Sequence, residues 1–427
     1  MVEFRSGRGE VRGGSRGEKR EVRTVPQKLS EIKTTFSKRF SSGIGEFDRV
    51  LGDGFVTGSV ILLAGEPGIG KSTLLLQLAE STNLKLLYVS GEESAEQIKM
   101  RAERLGVDGK NLLLLAETNV ERIIEEILSV KDIKILSEEK TKKSPGILVS
   151  QYPNILLIID SIQTLWSEDF EGYPGSISQV RGCAQKLLEY GKRNQITMIL
   201  VGHITKGGEI AGPMILSHMV DVVLFLEGER FADLRLLRGL KNRFGPTDEV
   251  GVFKMTEKGM EEVVSPSELF LQGGGGGKGE IGSVVVCAME GTRPMLLEIQ
   301  ALVTQSALAI PRRVASGVDY NRILLLTAVL QKSLNLPLYN QDVIVKVAGG
   351  FKISEPAADL AICLAIVSSF KNQPIASKTC VFGEVGLLGE IRRVGNEERR
   401  KKEAKKLGFT KIISSETVKN LQEAVNY

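Results

Sequence analysis

The chain has 427 residues, 42% hydrophobic and 25% charged, and its 56 Lys and Arg against 52 Asp and Glu leave a formal charge of +4. That length allows two or three domains, each with a real core. No apolar run approaches the ~18 residues of a membrane span, and the basic start leads into no apolar segment, which excludes a secretory signal; the cytosol is the expected compartment and no membrane partner is expected.

Residues 1–40 hold 11 Lys and Arg and 5 Asp and Glu, a net +6, so the remainder carries −2. This Gly/Arg/Glu-rich stretch is aperiodic and reads as a basic, flexible N-terminal segment. It is either a solvated leader or a stretch drawn to a phosphate backbone. From about Phe40, apolar runs alternate with amphipathic patterns. "SVILLAG" (59–65), "KLLYVSG" (85–91), "NILLIID" (154–160), "ITMILVG" (196–202) and "VVLFLEG" (222–228) read as buried strands. Helices are expected over 71–81, 94–105 and 177–193, and "EEKTKKSPG" (138–146) reads as a surface insertion. The alternation predicts an α/β fold with a mostly parallel sheet covered on both faces.

Five consecutive glycines (273–277) mark a linker, drawn over 269–281, which divides a first domain (41–268) from a second α+β unit (282–427). Strands are expected there near 283–289, 296–303, 343–347 and 379–382, and helices near 319–334, 356–370 and 397–407. The four cysteines, Cys183, Cys287, Cys363 and Cys380, are far apart and read as buried small residues in a reducing compartment. With only His203 and His218 besides, no zinc is expected.

"GEPGIGKST" (65–73) follows a strand and opens a helix, which is the context a phosphate-binding loop needs. Backbone N–H groups of Gly65, Glu66, Pro67, Gly68, Ile69 and Gly70 (the proline apart) and of the helix start would hold phosphates. Lys71 would reach the β- and γ-phosphates of ATP, Ser72 would ligate Mg²⁺, and Thr73 completes the motif. Asp160, ending an apolar strand, suits the same magnesium. A carboxylate must orient the attacking water; Glu92 is favoured over Glu93 in "YVSGEES", the alternative being that both cap the next helix. His203 ends the following strand as a γ-phosphate sensor or as a buried, satisfied histidine.

"LRLLRGLKNRF" and "DEVGVFKMT" read as two strands joined by "GPTD". Lys241 and Arg243 share one strand face. They suit a neighbouring acid, a neighbouring subunit's nucleotide, where such fingers speed phosphoryl transfer by ~10³–10⁵, or a DNA phosphate, the plain alternative being a solvated hairpin end.

Residues 42–264 resemble the RecA-like branch of P-loop ATPases, with the Glu after the second strand and the polar sensor after the fourth. "KNRFGP" is similar to the finger of DnaB-type replicative helicases. Together with "EGTRPMLLEIQALV" (290–303), "IPRRVASGVDYNRILLLTAVL" (310–330) and "SEPAADLAICLAI" (354–366), it resembles the RadA (Sms) family of bacterial DNA-repair proteins from about residue 36 onward. That resemblance implies a homohexameric, ATP-driven motor on single-stranded and branched DNA, promoting branch migration with the RecA recombinase. Loops at 164–178 and 204–213 are the expected DNA contacts by position; the Glu and Asp of the first make it a poor phosphate binder, while the second offers Lys206 and the two glycines that follow it. The family normally begins with a four-cysteine zinc finger, and "MVEFRSG" resembles the segment just after it, so functions of that finger are not expected of this chain.

The second unit resembles the proteolytic domain of Lon. Ala357 stands at the nucleophile position and Glu398 where the lysine would be, so no peptidase activity is expected. In "EIRRVGNEERRKKEAKKLG" (390–408), Arg392, Arg393, Arg399, Arg400, Lys401, Lys402, Lys405 and Lys406 form either a solvated helical face or a DNA-binding platform. Two other readings remain open: an ATP-dependent protease or protein remodeller related to Lon, and a KaiC-like signalling ATPase.

Overall fold

The run Val60–Leu63 is buried along its whole length, and its alternate side chains enter two different cores. Ile61 and Leu63 meet Phe47, Leu75 and Tyr88 on one side; Val60 and Leu62 meet Cys183, Leu187 and Met198 on the other. A strand covered by helices on both faces requires that pattern. The computed structural model describes residues 38–82, 84–127, 155–203, 213–228, 233–272 and 279–427.

Strands β1 (Arg39–Phe40) and β2 (Phe55–Val56) form a small antiparallel ribbon. Nine strands make the first large sheet: β3 (Val60–Gly65), β4 (Lys85–Ser90), β5 (Leu112–Ala116), β6 (Ile155–Asp160), β7 (Thr197–His203), β8 (Val222–Glu227), β9 (Leu234–Asn242), β10 (Val250–Thr256) and β11 (Gly259–Glu262). Their order is β11-β10-β9-β8-β3-β7-β6-β4-β5. Strands β8 through β5 in that order are parallel, and β9 to β11 extend the sheet antiparallel. After β3 the chain passes helix Lys71–Ser81 and crosses two strand positions to reach β4. The carboxyl end of β3 is therefore a switch point, where sheets of this kind leave a crevice for ligand.

The second large sheet contains β12 (Ser283–Glu290), β13 (Arg293–Gln305), β14 (Arg313–Ser316), β15 (Gln341–Val347), β16 (Thr379–Val381) and β19 (Lys411–Ile413), ordered β14-β15-β13-β12-β16-β19. Strands β17 (Glu384–Val385) and β18 (Ile391–Arg392) form a separate hairpin. Helices Tyr320–Leu334 and Asp359–Lys371 cover one face of the sheet, packing Leu330 and Ile366 with Leu297 and Val345. Ala404 and Phe409 close the other face over Val285 and Leu296.

The two sheets belong to one compact unit, Lys38–Tyr427. Arg293 of β13 pairs with buried Glu46 and donates to the carbonyls of Val263 (3.1 Å) and Val264 (2.8 Å). Arg238 of β9 pairs with both Glu227 and Glu290.

Several expectations need correcting. Of the segment read as flexible over 1–40, the described residues 38–40 include strand β1, where Arg39 donates to the carbonyls of Leu51 (3.2 Å), Gly54 (3.1 Å) and Phe244 (2.6 Å). The expected linker begins inside helix Pro266–Gln272, whose Phe270 is buried in the second core and meets Phe351 edge-on. Strands β5, β14 and β19 were not expected. Arg400 is no part of a solvated face: its side chain is 2% exposed and donates to Cys287 O and to both oxygens of Glu355. Lys401 bridges Glu398 and Glu416. All four cysteines are free and buried. Among the described residues no helix is long and apolar enough to cross a membrane. The insertion at 138–146 lies outside the described residues.

Candidate nucleotide-binding site

The loop between β3 and helix Lys71–Ser81 is built by three glycines with different tasks. A Cβ on Gly65 would stand 2.5 Å from the carbonyl oxygen of Leu226 on adjacent β8, a backbone atom that cannot step aside. Gly68 and Gly70 have φ of 75° and 114°, which β-carbon-bearing residues rarely adopt. The turn so formed folds over the Lys71 ammonium, which donates to the carbonyls of Gly65 (2.9 Å) and Glu66 (3.0 Å). Lys71 is 3% exposed, and burial lowers its pKa to about 8 against the raising influence of Asp160 and Glu92. A buried cation held by two carbonyls and a neutral ring nitrogen favours the arrival of an anion.

Three neighbouring strand ends face this loop. Gly65 is in register with His203, and Ser90 with Asp160. The buried Asp160 accepts from the Tyr88 hydroxyl. Glu92 accepts from Ser161 Oγ at 2.7 Å and lies 3.4 Å from His203 Nε2. His203 Nδ1 lies 3.0 Å from Lys71 Nζ. Glu93 turns away to pair with Arg101, and Ser94 with Gln97 caps the following helix. The two glutamates therefore have different surroundings, and neither caps the helix.

Lys241 and Arg243 are not brought to this loop. Asn242 pairs with Val222, which pairs with Ile61, four residues before Gly65 and so ~13 Å along the strand. Lys241 donates to the carbonyls of Ser217 and Val220, each at 2.7 Å, while Arg243 lies 3.3 Å from Asp221. Both cations do point to one segment, 217–221. Lys206 lies outside the described residues.

Three site residues escaped sequence reasoning. Tyr88 reads as one more core aromatic in "LLYVS". Ser161 follows Asp160 in "IIDS" and was quoted without a part to play. Arg235 looks like a surface cation in an alternating strand, yet it is buried and its Nε donates to the Ile69 carbonyl at 3.1 Å. Arginine at a buried position of "LRLLRG" is the signal that would have found it.

Hydroxyl and carboxylate oxygens from Ser72 and Asp160 are the hard donors that magnesium takes. Among the described residues no group of three or more His, Cys, Asp or Glu is placed to hold a metal ion. A cation held largely by phosphate and water needs none.

A phosphate loop at the switch point of a mostly parallel sheet defines a RecA-like P-loop ATPase. The family model "ATPase: KaiC" matches residues 40–263, and "ChlI: Subunit ChlI of Mg-chelatase" matches residues 322–417. The DNA repair protein RadA of Bacillus subtilis (strain 168) is 48% identical over 398 residues, 92% of this chain and 81% of that protein. The DNA repair protein RadA of Streptococcus pneumoniae (strain ATCC BAA-255 / R6) is 48% identical over 394 residues, 91% of this chain and 88% of that protein. A solved KaiC-like protein from Pyrococcus horikoshii OT3 is 21% identical and covers 53% of this chain and 99% of its own, with a TM-score of 0.41. The chain belongs to the RadA family of DNA repair proteins.

Proposed function

We propose that this DNA repair ATPase is a motor that couples ATP hydrolysis to movement on single-stranded and branched DNA, working as a homohexamer that promotes branch migration beside the RecA recombinase. The observation that carries the hydrolytic part is the run Lys71–His203–Glu92 along three strand ends, with contacts of 3.0 and 3.4 Å. In this reading Lys71 turns from its carbonyl ring to the β- and γ-phosphates. Glu92, held by Ser161, orients the attacking water and accepts its proton. His203 senses the γ-phosphate through Lys71. Ser72 and Asp160 hold Mg²⁺, which supplies neutralisation of phosphate charge.

Lys241 and Arg243 lie away from their own chain's loop and would serve the site of a neighbouring subunit. The exposed Arg392, Arg393, Arg399, Lys402, Lys405 and Lys406 offer cations to DNA, as does Lys206, whereas the segment 164–178 carries Glu168, Asp169 and Glu171 and no Lys or Arg and would meet DNA without pairing to its phosphates. The second half resembles the Lon proteolytic domain without its chemistry. Ala357 is buried with only a methyl group, and Glu398 stands exposed beside Lys401.

The test is ATP hydrolysis with and without single-stranded DNA for the native chain, Lys71→Ala and Arg243→Ala. DNA stimulation of the native chain, loss in both variants, and partial recovery on mixing the two variants are expected. Absence of DNA binding and of any DNA effect on the rate would refute the motor.

A further inference from the structure

We propose that Tyr88 is a positioning residue for the magnesium that accompanies the nucleotide. This rests on the reading of Ser72 and Asp160 given above. The ring of Tyr88 lies in the core beneath the site at 1% exposure, in register with Ile158 of β6. Phenylalanine would fill that space equally well, so packing does not account for the hydroxyl. A buried hydroxyl is costly unless its hydrogen bonds are made. Its hydrogen-bond partner is a residue expected at the cation, for it donates to Asp160 Oδ2.

The direction of this bond matters. The single phenolic proton goes to the carboxylate. That contact fixes Oδ2 of Asp160 and makes no claim on Oδ1. Asp160 then does not have to be oriented when magnesium arrives, and a partner behind the ligands typically governs metal affinity by ~10–100-fold.

The full chain carrying Tyr88→Phe tests this, since the variant keeps the ring and loses only the hydroxyl. The probe is a fluorescent ADP, titrated in EDTA and then with Mg²⁺ at fixed nucleotide. The half-saturating Mg²⁺ concentration is expected to rise by ~10-fold or more, with affinity in EDTA unchanged. An unmoved Mg²⁺ half-point, or equal weakening with and without Mg²⁺, overturns the proposal. In an Asp160→Asn background the same substitution is expected to add little; a full additional shift overturns it too. If the native chain binds nucleotide no better with Mg²⁺ than in EDTA, the magnesium assignment of Ser72 and Asp160 falls and takes this one with it.

Discussion

Nζ of Lys71 lies 3.0 Å from Nδ1 of His203. An ammonium has only protons to offer, so Nδ1 accepts and the ring proton sits on Nε2, toward a Glu92 oxygen 3.4 Å away. Burial, and then the Lys71 charge, hold His203 below its ordinary pKa, against Glu92 and Asp160, which raise it. The imidazole is thus a neutral spacer between the loop cation and the carboxylate.

Glu92→Gln keeps the shape of this contact and removes the base. Nucleotide affinity is expected to stay within a few-fold, while turnover falls by ~10²–10⁴. Equilibrium binding and steady-state hydrolysis on the same preparation check it. A variant with near-native turnover would remove Glu92 from the mechanism.

Arg243→Ala should separate function from folding. Arg243 is half-exposed and its pairing with Asp221 is long at 3.3 Å, while Asp221 also accepts from the Val60 amide at 3.1 Å. Asp221 is buried but keeps that amide and Lys192 at 3.9 Å, so losing a half-exposed guanidinium is expected to cost only ~0–1 kcal/mol. The melting temperature is expected to move by no more than a few degrees while hydrolysis collapses. A large loss of stability would make Arg243 a structural residue.

Arg293→Ala should behave in the opposite way. It leaves Glu46, buried at 3% exposure, with only the half-exposed Arg49 at 3.4 Å and the Val252 amide as partners, and strips donors from the carbonyls of Val263 and Val264. Breaking one side of a buried pair costs ~3–5 kcal/mol. A much lower urea midpoint is expected, and a midpoint near native would show the pair to be dispensable.

Gly65→Ala tests the close approach of β3 and β8. The added Cβ meets a backbone oxygen at 2.5 Å, so strands rather than a side-chain tip must move. Overpacking of this kind costs ~1–3 kcal/mol, and nucleotide affinity should fall with it. Native-like melting and binding would mean that the strands part freely.

Asp359 should leave a mark on the pH dependence of stability. Burial pushes its pKa up from 3.8 to about 6, with Arg322 opposing. A raised acid favours the folded state at low pH, and that contribution disappears as pH rises through the folded pKa. Between pH ~4 and ~6 this group therefore lowers stability, by up to ~3 kcal/mol. Asp359→Asn should shrink the difference in melting temperature between acid and neutral solution. An unchanged difference would show that the carboxyl titrates normally.

The elements that carry the site were legible because each combined a run of one period with a motif at its end. "VILLAGEPGIGKST" and "ILLIID" are of this kind. Strand β5 was not, since "LLLLA" is short, uniformly apolar and free of alternation; in the structure Leu113 and Leu114 are in fact exposed at the sheet edge. Arg400 was misjudged because a helix rich in cations looks solvated on every side, and nothing local reveals that Glu355, 45 residues earlier, waits beneath it. Tyr88 and Arg235 share that difficulty. Their partners, Asp160 of β6 and Ile69 of the phosphate loop, come from distant segments, and contacts of that kind are not written in local periodicity.

Strand β9 has a mechanical consequence. Arg235 near one end grips the carbonyl of Ile69, and Lys241 near the other grips that of Val220. Six residues, or ~20 Å of extended chain, separate them. A strand laddered on both sides neither stretches nor buckles, so it acts as a strut between the phosphate loop and the KNRFG turn. The ladder to β8 falls out of step only between Val223 and Leu224. Compliance along the strut is concentrated at that irregularity, and filling it would stiffen the link between the two ends.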